Sequence, residues 1–294
     1  MNQRFRTLLV LGRVSNLPTV WSNCLAGWWL GGGGNYGKLP FLLFGVTLLY
    51  TGGMFLNDAF DQEFDRLRRP ERPIPSGRIS AALVWRHGFG QLASGILLLL
   101  FCGPTAGACA LVLAFFIVLY DFTHKFFMAS PWLMGACRFW VYVIAGAVGV
   151  DGLNGFPIFG GLALALYVVG LSYVARRESS RGRVSGWPLL LLAAPVILAL
   201  MINAGEYRPP AICISILLGL WIVRCVRSIF LGGGTNAGWI VTNLLAGIVI
   251  VDWLAAALQN PQWLSAAGFR ALSAVVFLFL FGLTKWLQKF VPAT

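Results

Sequence analysis

Runs of about twenty apolar residues recur along the whole chain and are separated by short polar loops. An α-helix of that length crosses the hydrocarbon core of a bilayer. Because backbone N–H and C=O groups must find partners within lipid, we expect such runs to be helical. Only 11% of the 294 residues are charged, which is too few to cover the surface of a soluble protein. The sequence therefore predicts an all-α, polytopic transmembrane helix bundle.

We expect ten membrane-spanning helices in a single domain that covers residues 1–294. The predicted spans lie near residues 14–30, 39–57, 81–101, 104–120, 131–150, 156–175, 187–203, 210–230, 237–258 and 267–287. The N-terminal stretch has a basic start, but its apolar run is short and no small-residue cleavage site follows it. We therefore do not expect a signal peptide.

Basic residues are concentrated in alternate loops, on the side of the bundle that also holds both chain ends. These basic positions are Arg4, Arg6, 66–78, Lys125, 176–183, Arg224, Arg227, Lys285 and Lys289. The bias predicts that these loops and both termini lie in the cytoplasm, with the protein in the plasma membrane. It also explains the net charge of +12 through contact with anionic membrane lipids, so we expect no nucleic-acid partner.

Acidic side chains follow the second predicted span at helical spacing, in the segment NDAFDQEFDRLRRPERPIPSG at 57–77. Asp58, Asp61 and Asp65 share one helical face with Asn57, because their offsets of three, four, seven and eight residues bring side chains together over about two turns. Oxygen donors on one face suit a hard cation such as Mg²⁺. The arginines that follow have planar side chains that match phosphate geometry. Together they indicate a metal-bridged diphosphate at the end of a membrane helix.

The pattern N-D-x-x-D-x-x-x-D, followed by R-P-x-x-R-P-I-P-S-G, resembles the first signature of the UbiA superfamily of intramembrane prenyltransferases. Arg13 with SNLPTVWSN at 15–23 resembles the first helix of that family. Tyr120 and Lys125 in YDFTHK resemble its motif after helix four. The similarity covers roughly residues 10–258 and implies a nine-helix core with a central cavity. A tenth, C-terminal helix is expected near 267–287.

The resemblance implies Mg²⁺-dependent transfer of a prenyl group from an isoprenyl diphosphate to an aromatic or other small acceptor within the membrane. The metal ligands implied are Asn57, Asp58, Asp61, Asp65 and Glu178. The substrate-binding residues implied are Arg13, Asn23, Arg69, Arg72, Lys125, Arg177 and Arg181. Among these, Asp61, Asp65 and Lys125 are expected to be catalytic.

The second acidic motif departs from the family pattern, which is close to K-D-x-x-D. In this chain Glu178 stands for the first acid and Arg177 for the lysine, while Arg181 occupies the place of a later aspartate. A second Mg²⁺ would lose a ligand there. Either Arg181 contacts the diphosphate directly, or catalysis is lost and ligand binding kept, or the loop is only a positive-inside anchor.

Ionisable residues lie inside several predicted spans, at Arg86, His87, Arg138 and Asp252, where charge is costly and usually functional. We expect Arg138 to reach the cavity and Asp252 to pair with Arg270 near the outer surface. Two other function classes stay open, namely a UbiA-like protein that binds or passes on prenyl lipids, and a membrane transporter. Transporters usually break helices at the midplane, whereas the acidic motif here lies at a helix end.

Overall fold

The computed structural model of this protein describes residues 3–178, 186–230, 237–257 and 265–292. Twelve α-helices and no strand occur in these ranges. They are α1 (Gln3–Leu11), α2 (Leu17–Leu30), α3 (Leu39–Phe60), α4 (Gln62–Arg68), α5 (Ala81–Cys102), α6 (Pro104–Thr123), α7 (Ser130–Val148), α8 (Gly155–Glu178), α9 (Trp187–Ile202), α10 (Arg208–Phe230), α11 (Ala237–Ala256) and α12 (Ala266–Leu287). Short 3₁₀ turns at Val14–Asn16, Tyr36–Lys38 and Gly205–Tyr207 precede α2, α3 and α10.

Each predicted span overlaps one helix, and the predicted all-α, polytopic membrane fold is confirmed. Within the described ranges, eight helices are long and apolar enough to cross a membrane. The helices α2 and α9, with 14 and 16 residues, are shorter than the spans predicted at their positions. Helix α2 begins only at Leu17 because the chain first turns at Arg13, whose φ is +43°, and then makes a 3₁₀ turn.

Glycines bring neighbouring helices close together, most clearly where α3 packs along α5. A Cβ atom on Gly95 would lie 2.8 Å from the carbonyl oxygen of Gly45, and one on Gly52 would lie 2.9 Å from that of Gly88. Apolar burial offers little driving force between helices in lipid, so close packing of this kind holds the bundle together.

Gly95→Ala is expected to destabilise the bundle by about 1–3 kcal/mol, because its new methyl group meets backbone that has little room to move. Gly90→Ala on the same helix is the matched control, since a Cβ there has no neighbour within 4 Å. Thermal unfolding of both purified variants in detergent measures the difference. Equal melting temperatures for the two would contradict close contact between α3 and α5.

The ends of α3, α6 and α8 meet the start of α2 at one end of the bundle. Arg13 before α2 reaches Asn57 on α3 at 3.1 Å. Lys125 after α6 lies 2.8 Å from Asp61 after α3. Arg176 on α8 donates to the carbonyl oxygen of His124 at 2.9 Å. Residues distant in sequence are thereby gathered at one membrane-proximal surface.

The C-terminal helix α12 is joined to the bundle by polar and aromatic contacts. Lys285 donates to Asn243 Oδ1 on α11 at 2.9 Å. Trp29 on α2 packs edge-on against Phe269 and Phe277 of α12. The helix predicted near 267–287 therefore packs directly on the helices that surround the cavity.

Candidate active site

The acidic face runs across the junction of α3 and α4. The backbone N–H of Asp61 bonds to the Asn57 carbonyl, and that of Asp65 bonds to the Asp61 carbonyl, so the helical pattern continues through the junction. The predicted spacing therefore places Asn57, Asp61 and Asp65 on one helical face. These three residues and Asp58 are all buried, and none is more than 9% exposed. This burial distinguishes the acidic face from a solvated loop of alternating charge, in which these groups would be exposed.

The loop that follows α4 places Arg72 against these acids. The Ser76 N–H bonds to the Arg72 carbonyl, and Ile74 is buried in a small apolar cluster with α1, α3 and α5. Arg72 Nη1 then lies 3.2 Å from Asp58 Oδ1 and 3.0 Å from Asp65 Oδ2. A single guanidinium thus bridges two carboxylates of the motif.

Arg13 supplies a second cation to the same face. Its Nη2 donates to Asn57 Oδ1 at 3.1 Å and lies 3.5 Å from Asp58 Oδ1. Arg69 differs from Arg13 and Arg72, because its side chain is exposed and forms no ion pair within the described part of the chain. The structure therefore brings Arg13 and Arg72 together with the acids, but not Arg69.

Asp61 is held by the two basic residues that follow α6. Lys125 Nζ lies 2.8 Å and His124 Nε2 3.2 Å from Asp61 Oδ1. Burial disfavours the Asp61 carboxylate, but hydrogen bonds from His124 and Lys125 outweigh it and hold its pKa below the usual range. Burial likewise opposes charge on His124, yet Asp61 holds the pKa of that imidazole above its usual value. The two shifts favour an ion pair.

Asp121 is a site residue to which the sequence assigned no role. Its Oδ1 accepts a hydrogen bond from Asn57 Nδ2 at 3.1 Å, and the residue is only 4% exposed. It also lines the central cavity. Its position three and four residues before His124 and Lys125 is the signal that could have found it, because that spacing puts all three on one helical face.

The residues fit Mg²⁺ as a cation that arrives with phosphate, not as one held in a preformed protein cage. In the described ranges, no three His, Cys, Asp or Glu side chains are close enough to hold a metal. However, Asp65 Oδ1 and Asp121 Oδ2 are buried and find no hydrogen-bond partner there. Mg²⁺ usually takes one or two carboxylates and completes its shell with water and substrate phosphate. Carboxylate oxygens of this kind are suitable ligands.

A cavity of about 300 Å³ lies inside the bundle beside this face, and Arg13 and Asp121, which contact Asn57, line it. Arg13, Tyr120, Asp121 and Arg176 line it near the acids. Its walls are mostly apolar and include Met54, Leu113, Ile117, Val168, Leu171 and Leu245. The volume is at the lower end of the range for small-molecule sites. Charged groups at one end and apolar walls beyond suit an amphipathic ligand with an anionic head.

The second acidic motif lies outside the described side chains. Glu178 is the last residue of α8, but its side chain and that of Arg177 are not described, and neither is any part of Arg181. Their roles stay predictions. The neighbouring Arg176 is described, and it donates to the Met128 carbonyl at 3.0 Å and to Ser130 Oγ.

Asn23 lies in a buried polar network farther from the acids. Its Nδ2 donates to Asp252 Oδ2 at 2.6 Å, and its Oδ1 accepts from Arg138 Nη1 at 2.6 Å. Asp252 also accepts from Ser22 at 2.5 Å and from Tyr142 at 2.6 Å. Asn23 is fully buried and is not among the residues that line the cavity. It would therefore act on a substrate through Arg138.

The predicted pairing of Asp252 with Arg270 is wrong. Asp252 is fully buried and faces α2 and α7, whereas Arg270 Nε donates to the carbonyl oxygen of Ala266 within its own helix. Sequence position places both residues near the outer ends of their helices, but it does not reveal which way either helix is rotated.

Comparisons with known proteins all indicate the same family. The sequence profile of the UbiA prenyltransferase family matches residues 16–273. Digeranylgeranylglyceryl phosphate synthase of Methanothrix thermoacetophila is 37% identical over 128 residues, which are 42% of this chain and 42% of that protein. Protoheme IX farnesyltransferase of Alkalihalophilus pseudofirmus is 35% identical over 115 residues, 38% of this chain and 37% of that one. The chain thus matches less than half the length of these relatives.

One solved structure has a similar fold. It is described as giving insights into the biosynthesis of digeranylgeranylglyceryl phosphate synthase in membranes. The two structures superpose with a TM-score of 0.62 at 20% sequence identity, covering 87% of this chain and 99% of the other. At that identity the similarity concerns the fold alone.

Proposed function

This chain belongs to the UbiA prenyltransferase family, and from that premise we propose that it transfers a prenyl group from an isoprenyl diphosphate to an aromatic or other small acceptor within the membrane. The observation that supports the proposal most directly is the buried acidic face, which Arg13, Arg72 and Lys125 neutralise, beside an apolar cavity that Arg13 also lines. The anionic head of an isoprenyl diphosphate matches the charged face, and its apolar tail matches the cavity.

The cations at the acidic face would bind the diphosphate. Arg13, Arg72 and Lys125 now contact carboxylates, and each has N–H groups that can also donate to phosphate oxygens. We propose Asn57, Asp58, Asp61, Asp65 and Glu178 as the residues that hold Mg²⁺. When bound, Mg²⁺ neutralises negative charge that develops on a leaving diphosphate. Arg69, Arg177 and Arg181 remain proposed diphosphate contacts, supported by their sequence pattern.

The cavity walls would protect and stabilise the reacting carbon. Apolar side chains exclude water, which would otherwise compete with the acceptor for an allylic cation. Tyr50 and Tyr120 line the cavity, and the negative faces of their rings favour a nearby positive charge. The side chains that line the cavity would thus bind the tail, stabilise the cation and exclude water.

We also propose that the reaction takes place at the cytoplasmic face of the plasma membrane. The protein is a multi-pass membrane protein. Its basic loops cluster on the side of the acidic face, and the positive-inside bias assigns that side to the cytoplasm. The substrate tail and the surrounding lipids would share the same apolar phase.

The decisive experiment is a product assay with the purified protein. Protein in detergent or nanodiscs is incubated with Mg²⁺, isoprenyl diphosphates of several lengths and a membrane extract, and mass spectrometry searches for a prenylated product. We expect a product that disappears with EDTA. Diphosphate binding without any product would instead indicate a prenyl-lipid binding protein, and substrate flux in proteoliposomes without a product would indicate a transporter.

A further inference from the structure

Arg138 is a cation inside a membrane span, well away from the acidic face. It lies on α7 and lines the cavity. Its guanidinium lies 5.8 Å from the centre of the Tyr50 ring. Tyr50 precedes Asn57 by about two helical turns on α3, which is roughly 10 Å along the helix axis. Arg138 therefore lies on the cavity wall about two helical turns from the acidic face.

All direct hydrogen-bond partners of Arg138 in the described ranges are neutral oxygens. Nη1 donates to Asn23 Oδ1 at 2.6 Å and to the Thr19 carbonyl at 3.4 Å, and Nη2 donates to Thr19 Oγ1 at 3.2 Å. No carboxylate of the described residues lies within ion-pair distance of it. A charge that is kept away from water normally pairs with an opposite charge. The cavity is the open side from which an anion can approach.

Asp252 positions Arg138 and does not pair with it directly. Three donors, from Ser22, Asn23 and Tyr142, already bind its two oxygens. Its link to Arg138 runs through the Asn23 amide, which donates to the carboxylate and accepts from the guanidinium. This chain of bonds fixes the orientation of the Asn23 amide and, through it, that of the arginine.

The guanidinium has unused donors. Three of its five N–H groups make the bonds to Thr19 and Asn23, which leaves one on Nε and one on Nη2 with no hydrogen-bond acceptor in the described part of the chain. Nε and Nη2 lie on the same edge of the planar group. That edge donates two parallel hydrogen bonds to a carboxylate or phosphate.

We propose that Arg138 forms an anion-binding subsite on the cavity wall, about two helical turns from the acidic face, and that the acceptor has a carboxylate or phosphate group bound there. The acceptor would place its electron-rich atom toward the acidic face and its acidic group at this subsite. The subsite rests on the geometry of Arg138 alone, whereas its assignment to the acceptor rests on the proposed function. A neutral acceptor would leave two donors of this half-buried cation without an anion.

The test compares probes that differ in charge but little in shape. Binding of benzoate, phenyl phosphate and neutral benzamide to the purified protein is measured by calorimetry, with Mg²⁺ and saturating inorganic pyrophosphate present to occupy the diphosphate site. We expect at least one anionic probe to bind about tenfold or more tightly than benzamide. Whether benzoate or phenyl phosphate binds better indicates which acid the acceptor has. Equal binding of all three probes would overturn the subsite.

Variants assign the preference to one residue. Arg138→Gln should remove the preference for anions, and Arg138→Lys should keep part of it, because the charge remains but the two parallel donors do not. Arg86→Gln is the matched control, since it also removes a cation from a span but at an exposed position outside the cavity. Melting temperatures confirm that each variant is folded. An unchanged preference in folded Arg138→Gln, or its loss in Arg86→Gln, would contradict the assignment.

The product assay separates this inference from the proposed function. If benzoate binds through Arg138 but no prenylated product forms, the subsite holds and the proposed reaction fails. If a product forms and wild-type protein shows no preference for anions, the reaction holds and the subsite fails. Arg138→Gln should bind isoprenyl diphosphate like wild type, because the acidic face lies roughly 10 Å away.

Discussion

Replacement of Asp61 or Asp65 by asparagine is expected to lower turnover about 100-fold or more while the protein stays folded. Each change keeps the size of a buried side chain but removes one negative charge from the proposed Mg²⁺ site. A loss of about 3 kcal/mol of transition-state stabilisation corresponds to that factor. Steady-state rates with saturating isoprenyl diphosphate over a range of Mg²⁺ concentrations provide the measurement.

The matched control for both variants is Glu63→Gln. Glu63 lies between the two aspartates on α4, but its side chain is exposed. Its turnover should stay within about twofold of wild type, because an exposed charge contributes little. Wild-type turnover in a folded Asp61→Asn protein, or activity that EDTA does not reduce, would refute the assignment of these acids to a metal site.

The sequence was sufficient for the parts of this molecule that depend on spacing along one helix. Apolar runs located each membrane helix, because a span must be apolar over a fixed length. The acidic motif folded as predicted, since Asn57, Asp61 and Asp65 lie at four-residue intervals and hydrogen bonds continue the helix through their junction. A face of one helix can be predicted from sequence in this way.

The sequence was insufficient wherever the outcome depended on how helices are rotated against each other. Spacing along the chain did not indicate that Lys125 and His124 would contact Asp61, which is more than sixty residues earlier. Only the family resemblance placed Lys125 and Asp61 in one site. The sequence misplaced Asp252, which faces inward to Asn23 and Tyr142. Such contacts are long-range, and no local pattern in a uniformly apolar helix distinguishes the inward side from the lipid side.

Three of the cations that we assign to the diphosphate, Arg13, Arg72 and Lys125, are held by acids of the same site. Arg72 bridges Asp58 and Asp65, and Lys125 pairs with Asp61. Buried charges of one sign would be unstable without this neutralisation. To bind a diphosphate, Arg72 and Lys125 would exchange these carboxylates for phosphate oxygens, and the released carboxylates would be able to hold Mg²⁺.

Lys125→Met should reduce kcat/KM for isoprenyl diphosphate by about 30- to 100-fold, because one charged hydrogen bond to the phosphate is worth about 2–3 kcal/mol. Methionine keeps an unbranched apolar stem near Phe64, over which the lysine now lies at 5.5 Å. His124→Gln is the control, since His124 also contacts Asp61 but is not proposed to reach the diphosphate. We expect its kcat/KM to stay within about threefold of wild type. Equal losses in the two variants would mean that Lys125 acts only by holding Asp61, and would remove it from the diphosphate site.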